Sequence, residues 1–460
     1  MTGLIEQDMR AVPVDAVTEA GFAQAASALA PAERAWLDAT GFKPAPGRHA
    51  LLPDAEGGLA RVVVGIDAKA PVWALAGLPQ TLPEGSYRLG ALPEVLHGPG
   101  AADRLALGWA LGAYGFTRYR KPERQPASLV WPESADRTRV LALAEGTSLA
   151  RDLINTPTEE MGPEELAEAA ASLAGHHGSA IEVITGDALL ERQYPLIHAV
   201  GRASAKAPRL IDLRWGDPDA PRLTLVGKGV CFDSGGLDLK PSSGMKLMKK
   251  DMGGAATVLG LAHAIMATGL KLRLRVLIPA VENAVAGNAF RPMDVFRTRK
   301  GLTVEIGNTD AEGRLVLGDA LTEAMAERPA LVIDMATLTG AARVALGPEL
   351  PALFANDDAT AEALLAAGAA ESDPLWRLPL WAPYRKFLKS DIADINNASD
   401  SGFAGAITAA LYLQEFVDPE VSWLHIDSFA WNSKARPGRP EGGEALALRA
   451  LHAMLEKRFG

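Results

Sequence analysis

The chain has 460 residues and is too long for a single hydrophobic core. Single cores stop growing at roughly 250 to 300 residues, and longer chains divide into domains. Hydrophobic residues make up 48% of the chain and charged residues 22%, a composition typical of folded globular proteins and not of disordered ones. The formal net charge of −10 disfavours nucleic acid as a partner, and the single cysteine excludes an intrachain disulfide.

The amino-terminal sequence MTGLIEQDMRAVPVDAV lacks the basic stretch and apolar run of an export signal. Apolar runs elsewhere, such as ALVIDMATL, carry charge or stop well short of the roughly 20 residues that a helical membrane span requires. We therefore expect a soluble, cytoplasmic protein that has no membrane partner.

Short apolar segments at residues 50–53, 60–66 and 72–75, followed by a helical stretch at 101–114, predict a small α/β domain over residues 1–135. This segment carries no recognisable chemistry, and we expect a role in assembly or regulation. The proline-rich stretch KPERQPASLVWPESADR marks a domain boundary. A linker helix over residues 136–154 is expected next.

The remaining residues, 155–460, are predicted to form the catalytic domain. Strand-like segments (IEVI, PRLTLVG, LRLRVLIPA, ALVIDMATL) alternate there with helices predicted at 163–175, 254–268 and 315–327. This alternation predicts an α/β fold with a mainly parallel sheet that helices cover on both faces. Ligands of such sheets bind at the carboxyl ends of the strands, so charged residues that follow a strand are candidate site residues.

Two clusters of charged residues follow predicted strands. Lys228 and Asp233 come after PRLTLVG, in the glycine-rich segment VGKGVCFDSGG. Asp310, Glu312 and Arg314 alternate after LTVEIG, in the segment NTDAEGRL. Because alternate residues of an extended stretch point to the same side, we expect these three side chains to project into one space.

Four carboxylates, those of Asp233, Asp251, Asp310 and Glu312, are expected to gather at this edge of the sheet. Two carboxylates about 4 Å apart repel by roughly 4 kcal/mol at an effective dielectric constant of about 20, so the cluster requires cations. Two divalent ions would balance four carboxylates, as in dinuclear hydrolases. The chain has no HExxH motif, and its oxygen-rich ligands suit Mn²⁺ or Zn²⁺, with Mg²⁺ as a third candidate.

Taken together, these segments resemble the leucyl aminopeptidase (cytosol aminopeptidase) family of dinuclear metallopeptidases. The signature NTDAEGRL is unbroken, and GKGxxFDSGG, the lysine at position 240, KxDMxGAA and ENAVAGNAFRP match the family pattern in order and spacing. The match covers roughly residues 145–435. A GKG or a DxE alone would mean little, whereas the whole set is specific.

The resemblance implies that five residues bind two metal ions. Asp233 and Glu312 would bridge both ions, Lys228 and Asp251 would complete the tighter site, and Asp310 would complete the more exchangeable one. A lysine ligand has to be neutral, and lowering its pKa from about 10.4 to below 7 costs on the order of 5 kcal/mol. Burial beside two divalent cations can supply that shift.

The resemblance also implies the catalytic residues. Lys240 would stay charged and polarise the scissile carbonyl. Arg314 would hold a bicarbonate ion that serves as general base toward a metal-bridging water. The implied activity is hydrolysis of leucine and similar residues from the free amino terminus of peptides, by a homohexamer built as a dimer of trimers, with Met248 and Ala404 near the pocket for the first side chain.

The chain departs from the family pattern at two positions, neither of which is a ligand. Cys231 stands where the family often has threonine, and Met293 stands where glycine is more usual. Both departures are interpreted as packing variation, and the glycine position raises a question about the local shape of the loop.

Several residues have alternative roles that the sequence leaves open. Asp251 could cap the helix that begins near residue 253. Glu282 and Asn283 are expected to support the site rather than bind metal. His425 and Asp427 alternate on a strand and could be a ligand pair, although a hydrogen-bonded core histidine is the favoured interpretation.

Three other functions compete with the aminopeptidase hypothesis. The same carboxylates could serve another two-metal hydrolase, such as a phosphatase or an amidase. A nucleic-acid-binding role is opposed by the acidic balance of the chain. A catalytically inactive scaffold would require a lost ligand, and none of the seven expected residues is missing.

Overall fold

The computed structural model describes residues 2–460, and they form two compact units. The amino-terminal unit contains the residues up to Ser148 together with Lys434–Glu441, and the main unit contains Leu149–Ser433 and Gly442–Gly460. The division falls inside a single helix, Arg137–Asn155. The functional roles predicted for the domains on either side of this helix stay predictions.

A six-stranded sheet forms the amino-terminal unit. Its strands are β1 (Leu4–Ile5), β2 (Val12–Val17), β3 (His49–Pro53), β4 (Leu59–Gly65), β5 (Ser86–Leu89) and β6 (Ser128–Val130), and its helices are α1 (Phe22–Ser27), α2 (Pro31–Ala39), α3 (Leu78–Thr81) and α4 (Ala101–Ala113). The strand order is β1-β6-β5-β2-β4-β3, parallel throughout except between β3 and β4. The apolar segment at 72–75 is no strand, since it begins as a 3-10 turn, Pro71–Trp73.

The main unit contains the remaining helices and strands. Its helices are α5 (Arg137–Asn155, shared with the amino-terminal unit), α6 (Pro163–His177), α7 (Ala188–Glu191), α8 (Pro195–Gly201), α9 (Ser242–Met245), α10 (Gly253–Thr268), α11 (Glu312–Met325), α12 (Gly340–Leu346), α13 (Asp358–Ala370), α14 (Gly405–Gln414) and α15 (Leu448–Phe459). Its strands are β7 (Ala180–Thr185), β8 (Arg209–Trp215), β9 (Arg222–Gly227), β10 (Gly229–Asp233), β11 (Arg273–Asn283), β12 (Val295–Arg297), β13 (Thr303–Glu305), β14 (Leu331–Ala336), β15 (Ala352–Ala355), β16 (Trp376–Arg377), β17 (Ile395–Asn396), β18 (Trp423–Asp427), β19 (Trp431–Asn432) and β20 (Gly442–Gly443).

The large sheet of the main unit has the order β16-β15-β18-β14-β9-β11-β8-β7, and β10 also pairs with β11. Its centre, from β18 through β14 and β9 to β11, is parallel. Strand β15 runs antiparallel to β18 and parallel to β16, and at the other edge β8 runs antiparallel to both β11 and β7. Helices α10 and α11 both pack on β9 and β11. The predicted helix-covered, mainly parallel sheet is therefore confirmed.

The helices predicted from periodicity are present. Those predicted at 163–175 and 254–268 are α6 and α10, and the one predicted at 315–327 begins three residues earlier as α11. Within residues 2–460, none of the helices combines the length and apolar character that crossing a membrane requires.

Two glycines let α10 begin directly against the central strands. A Cβ atom on Gly254 would lie 2.1 Å from the carbonyl oxygen of Met335, and one on Gly227 would lie 2.6 Å from the Cα of Ala255. No side chain fits in either gap, so both positions require glycine. This close approach brings the short 3-10 turn Met248–Met252, which precedes α10, to the carboxyl ends of β9 and β14.

The strand predicted at LTVEIG lies outside the large sheet. Residues Thr303–Glu305 form β13 of a separate three-stranded sheet with β12 and β17. The expectation that Asp310, Glu312 and Arg314 alternate on an extended stretch is also wrong. Glu312 and Arg314 lie in the first turn of α11, where residues two apart point in different directions, and Asp310 lies in the preceding turn.

The unusual Met293 adopts a backbone conformation that favours glycine. Its φ angle is 68°, and its side chain is 70% exposed. Its amide donates a 2.7 Å hydrogen bond to the carbonyl of Ile306, which holds the loop in this conformation. A Cβ atom in the left-handed region costs about 1–2 kcal/mol, which explains why the related pattern has glycine here.

We predict that Met293→Gly raises the free energy of unfolding by about 0.5–1 kcal/mol, because relief of backbone strain exceeds the added entropy of the unfolded chain. Urea denaturation followed by tryptophan fluorescence measures the change. Met293→Ala is the control, since it removes the exposed side chain and keeps the strain. Equal effects of the two substitutions would contradict the explanation.

Candidate metal and catalytic site

The structure brings the five candidate metal ligands together at the carboxyl ends of the central strands. Lys228 lies between β9 and β10, Asp233 ends β10, Asp251 lies in the turn before α10, Asp310 lies in the turn before α11, and Glu312 begins α11. All are buried except Asp310, which is partly exposed. Residues far apart in the sequence therefore converge through the sheet and two helix beginnings.

Three carboxylates lie closest together. Asp233, Asp310 and Glu312 each place one carboxylate oxygen within 4.8 Å of the others. Burial and the nearby charge of Asp233 raise the pKa of Glu312 to about 8 and that of Asp310 to about 6. The Glu312 side chain is 1% exposed, Oε1 has only the ammonium of Lys228 as a counter-charge, and Oε2 has neither a hydrogen bond nor an ion pair. A buried carboxylate with an unused oxygen at this position suits a cation.

Lys228 is the counter-ion inside this cluster. Its Nζ lies 2.7 Å from Oδ2 of Asp251 and 3.0 Å from Oε1 of Glu312, and it donates a 3.0 Å hydrogen bond to the carbonyl of Thr337. Gly313 leaves room for it, since a Cβ there would lie 2.6 Å from Cε of Lys228. Burial lowers the pKa of Lys228, but the surrounding carboxylates more than offset this, and its pKa is raised. Cations would have to reverse that shift before the amine could act as a neutral ligand.

Asp251 is held by a residue that the sequence analysis missed. Thr337, directly after β14, donates its hydroxyl to Oδ1 of Asp251 at 2.8 Å. The helix-cap alternative for Asp251 is wrong, because the residue before α10 is Met252 and no side chain caps that helix. The orientation of Asp251 toward Lys228 therefore depends on the end of a neighbouring strand.

Lys240 pairs with the opposite side of the carboxylate cluster. Its Nζ lies 2.8 Å from Oδ2 of Asp233 and also forms an ion pair with Asp310. Burial lowers the pKa of Lys240, yet the two aspartates outweigh burial and raise it. The side chain is partly exposed, so Lys240 carries its positive charge to the edge of the cluster.

Arg314 is buried beside this cluster and does not form an ion pair with it. Its Nη1 donates a 2.6 Å hydrogen bond to the carbonyl of Asn397, and its Nε has no hydrogen-bond partner. Burial lowers the pKa of Arg314. The side chain of Asn397 also accepts from the amides of Gly307 and Asn308 at 2.8 and 3.2 Å. No motif pointed to Asn397, which only the fold brings to this loop.

The residues named as supporting groups divide into two kinds. Asn283 donates from Nδ2 to Oδ1 of Asp233 at 2.9 Å and to the carbonyl of Thr309 at 3.0 Å, which confirms its supporting role. Glu282 instead accepts a hydrogen bond from Ser204, with Oγ and Oε2 2.5 Å apart, and supports a different loop.

His425 and Asp427 do not form a ligand pair. His425 is fully buried, and its Nδ1 lies 2.6 Å from Oδ1 of Asp334 on the adjacent strand. Asp427 accepts from the amides of Leu338 and Thr339 at 2.9 and 3.2 Å. The favoured interpretation of His425 as a hydrogen-bonded core histidine is confirmed.

A cavity of about 450 Å³ opens onto the site. Its walls include four of the candidate ligands, Lys240, and the apolar side chains of Leu247, Met248, Leu338, Leu350 and Phe429. Two cations flank Phe429, since Nζ of Lys250 lies 4.7 Å and the guanidinium carbon of Arg343 lies 4.9 Å from the ring centroid. Met248 thus lines the cavity as expected. Ala404, the residue before α14, is not part of this wall.

Both units of the chain match known protein families. Residues 148–452 match the catalytic domain of the cytosol aminopeptidase family, and residues 12–132 match the M17 aminopeptidase amino-terminal domain. A probable cytosol aminopeptidase of Roseiflexus castenholzii is 44% identical over 362 residues, which are 75% of this chain and 74% of that protein. Peptidase B of Serratia proteamaculans is 46% identical over 66% of this chain and 73% of its own.

Solved structures agree with these matches. The crystal structure of a cytosol aminopeptidase from Coxiella burnetii superimposes with a TM-score of 0.96 at 48% identity and covers 100% of both chains. The bottromycin maturation enzyme BotP, solved in complex with Mn, gives a TM-score of 0.86 at 36% identity and covers 97% of this chain and 99% of its own.

Fold and site together thus define a peptide hydrolase of the metal-dependent aminopeptidase class. The chain belongs to the cytosol aminopeptidase family, peptidase family M17.

We predict that Glu312→Gln stabilises the metal-free protein at pH about 8 and weakens its stabilisation by Mn²⁺. The pKa of Glu312 is raised to about 8 in the folded protein from an ordinary value of 4.5. Between these values the unfolded chain gives up the proton first, so ionisation favours unfolding and stability falls as pH rises. The neutral amide removes that cost and also removes a ligand charge.

Thermal midpoints with chelator and with added Mn²⁺, at pH about 6 and about 8, test this prediction. Glu282→Gln is the control, because Glu282 lies near the end of β11 and accepts its hydrogen bond from Ser204. A thermal midpoint of metal-free Glu312→Gln below that of the wild type at both pH values would contradict the electrostatic explanation.

Proposed function

We propose that this aminopeptidase holds two divalent ions, Mn²⁺ or Zn²⁺ with Mg²⁺ as a third candidate, and uses them to remove leucine and similar residues from peptides. The ligands would be Lys228, Asp233, Asp251, Asp310 and Glu312. The observation that carries the proposal is the buried carboxylate of Glu312, which lies within 4.8 Å of the carboxylates of Asp233 and Asp310. Only its Oε1 has a counter-charge, Lys228, and its Oε2 has no partner. The manganese complex of BotP supports Mn²⁺ as one candidate.

Bound divalent ions would supply Lewis-acid activation of water and of the peptide carbonyl. The chain itself supplies Lys240, whose raised pKa keeps its ammonium group charged. Its ion pairs with Asp233 and Asp310 hold the ammonium at the cavity, where it can donate a hydrogen bond to the oxygen on which negative charge develops. Asp310 is the most exposed of the five ligands, which suits the end of the cluster that receives a peptide amino terminus.

Arg314 is proposed to hold the general base, a bicarbonate ion. Its guanidinium group is buried, one nitrogen is anchored on the carbonyl of Asn397, and Nε is left without a partner. A buried cation with an unused donor suits a small planar anion. The base would accept the proton of the attacking water, since no histidine is among the residues that line the cavity.

The cavity wall favours two kinds of substrate group. Met248, Leu338 and Phe429 offer an apolar surface for a leucine-like side chain, whereas Lys250 and Arg343 offer positive charge. Peptides with a free amino terminus are therefore the proposed substrates. We also propose a cytoplasmic homohexamer in which residues 1–135 serve assembly or regulation and residues 155–460 serve catalysis. The names of the relatives support the compartment, and the family resemblance supports the hexamer.

We predict that chelation abolishes hydrolysis of leucyl-p-nitroanilide, that Mn²⁺ or Zn²⁺ restores it, and that Asp310→Ala and Lys240→Ala each lower kcat by at least about a hundredfold. The physical reason is the loss of a metal ligand in the first variant and of the oxyanion donor in the second. Metal content measured by elemental analysis separates them, since Lys240→Ala should retain its ions. Activity untouched by Asp310→Ala would mean that the motif has been misread. Hydrolysis of p-nitrophenyl phosphate in place of the peptide analogue would favour another two-metal hydrolase.

We predict that wild-type activity falls in bicarbonate-depleted buffer and returns when bicarbonate is added, whereas Arg314→Met loses about a hundredfold in kcat and no longer responds to bicarbonate. Methionine keeps much of the side-chain length and removes the charge. Thermal midpoints of the two proteins show whether the variant is folded. A folded Arg314→Met that still responds to bicarbonate would refute this assignment.

A further inference from the structure

Three of the eight histidines of the chain lie together, outside the carboxylate site. His176 and His177 form the last turn of α6, and His263 lies in α10. The ring centroid of His177 lies 4.8 Å from that of His176 and 5.0 Å from that of His263. We call these three residues the histidine cluster. It lies about 15 Å along α10 from the turn that carries Asp251, at 1.5 Å per residue.

Two nitrogens of the histidine cluster have the spacing of ligands on a single ion. Nε2 of His177 and Nδ1 of His263 lie 3.1 Å apart. Two imidazole nitrogens bound to one tetrahedral ion at about 2.0–2.1 Å are separated by about 3.3 Å. One shared proton joins the two rings at this distance, and a metal ion in its place would require only a small outward movement of the rings.

The surroundings supply a third imidazole and a thioether. His176 is exposed and lies 6.3 Å from His263 between ring centroids, so rotation of its side chain brings a nitrogen to the pair. That rotation is necessary, because no nitrogen of His176 lies within 4.8 Å of both other ligand atoms as placed. Met266, one turn after His263, packs its sulfur 3.2 Å from Oγ of Ser179. Imidazole nitrogen donors select late transition metals over Mn²⁺ and Mg²⁺.

The protonation state of the histidine cluster also suits a metal. Burial, together with the neighbouring rings of His263 and His176, lowers the pKa of His177 to about 4. The imidazole of His177 is therefore neutral near pH 7, which is the form that binds metal.

We propose that the histidine cluster is a second metal site of this protein, which binds one late transition-metal ion such as Zn²⁺, Ni²⁺ or Cu²⁺ and fastens the end of α6 to α10. His177 and His263 are the primary ligands, and His176 completes the set on binding. The carboxylate site contains no imidazole among its candidate ligands, so the two sites differ in their donor atoms, and Ni²⁺ or Cu²⁺ favours the histidine cluster.

The experiment adds one molar equivalent of Cu²⁺ to enzyme loaded with diamagnetic Mg²⁺ and records pulsed electron paramagnetic resonance. Modulation from the remote nitrogen of a coordinated imidazole shows that the copper is bound to histidine and not at the carboxylate site, and the variants show which histidine. We expect this modulation in the wild type and in the control His198→Asn, a partly buried histidine paired with Asp187. We expect its loss in His177→Asn, with copper affinity reduced at least about tenfold.

A second variant and an activity measurement distinguish loss of a metal ligand from misfolding. His176→Ala changes only an exposed side chain and should weaken copper binding while two imidazoles remain. Leucyl-p-nitroanilide hydrolysis by Mn²⁺-loaded His177→Asn should match that of the wild type, which shows that the fold is intact. Absence of imidazole modulation in the wild type, or modulation that survives in His177→Asn, overturns the proposal.

Discussion

Burial of several carboxylates in one small space is the constraint on which the rest of this structure depends. Asp233, Asp251 and Glu312 are each almost fully buried, and in such a place each negative charge raises the cost of the next. The raised pKa of Glu312 expresses that cost, and Lys228 and Lys240 offset part of it through four ion pairs with the cluster. Without further cations, repulsion among the buried carboxylates remains unfavourable, so the cluster is suited to bind cations.

In Asp233 and Asp251, the two carboxylate oxygens have different kinds of partner. Oδ1 of Asp233 accepts from the amide of Gly235 and from Asn283, while Oδ2 faces Lys240. Oδ1 of Asp251 accepts from Thr337, while Oδ2 faces Lys228. Neutral donors thus fix the orientation of these two carboxylates through one oxygen, and the other oxygen of each faces a lysine. This division pre-organises the site, since little rearrangement is required when a cation binds.

Lys228 and Lys240 differ in burial and therefore in their freedom to change partners. Lys228 is enclosed between two strands and α11 and cannot leave the cluster, so its amine either neutralises Asp251 and Glu312 or becomes a ligand itself. Lys240 is partly exposed at the cavity and can exchange its aspartate partners for a substrate oxygen. The proposed ligands of the histidine cluster differ from the carboxylates in charge. Neutral nitrogen donors bind metals without the mutual repulsion that buried carboxylates create.

The sequence by itself determined the family, the helix-covered sheet and the identity of the charged residues, because these depend on local periodicity and on short motifs such as NTDAEGRL. It also pointed to Met293, whose left-handed backbone the structure then explained. Only the tertiary structure decided that Glu312 begins a helix, that Thr337 orients Asp251 and that Asn397 anchors Arg314. These partners lie more than 80 residues apart along the chain, and their meeting depends on strand order and helix packing, which no local pattern encodes.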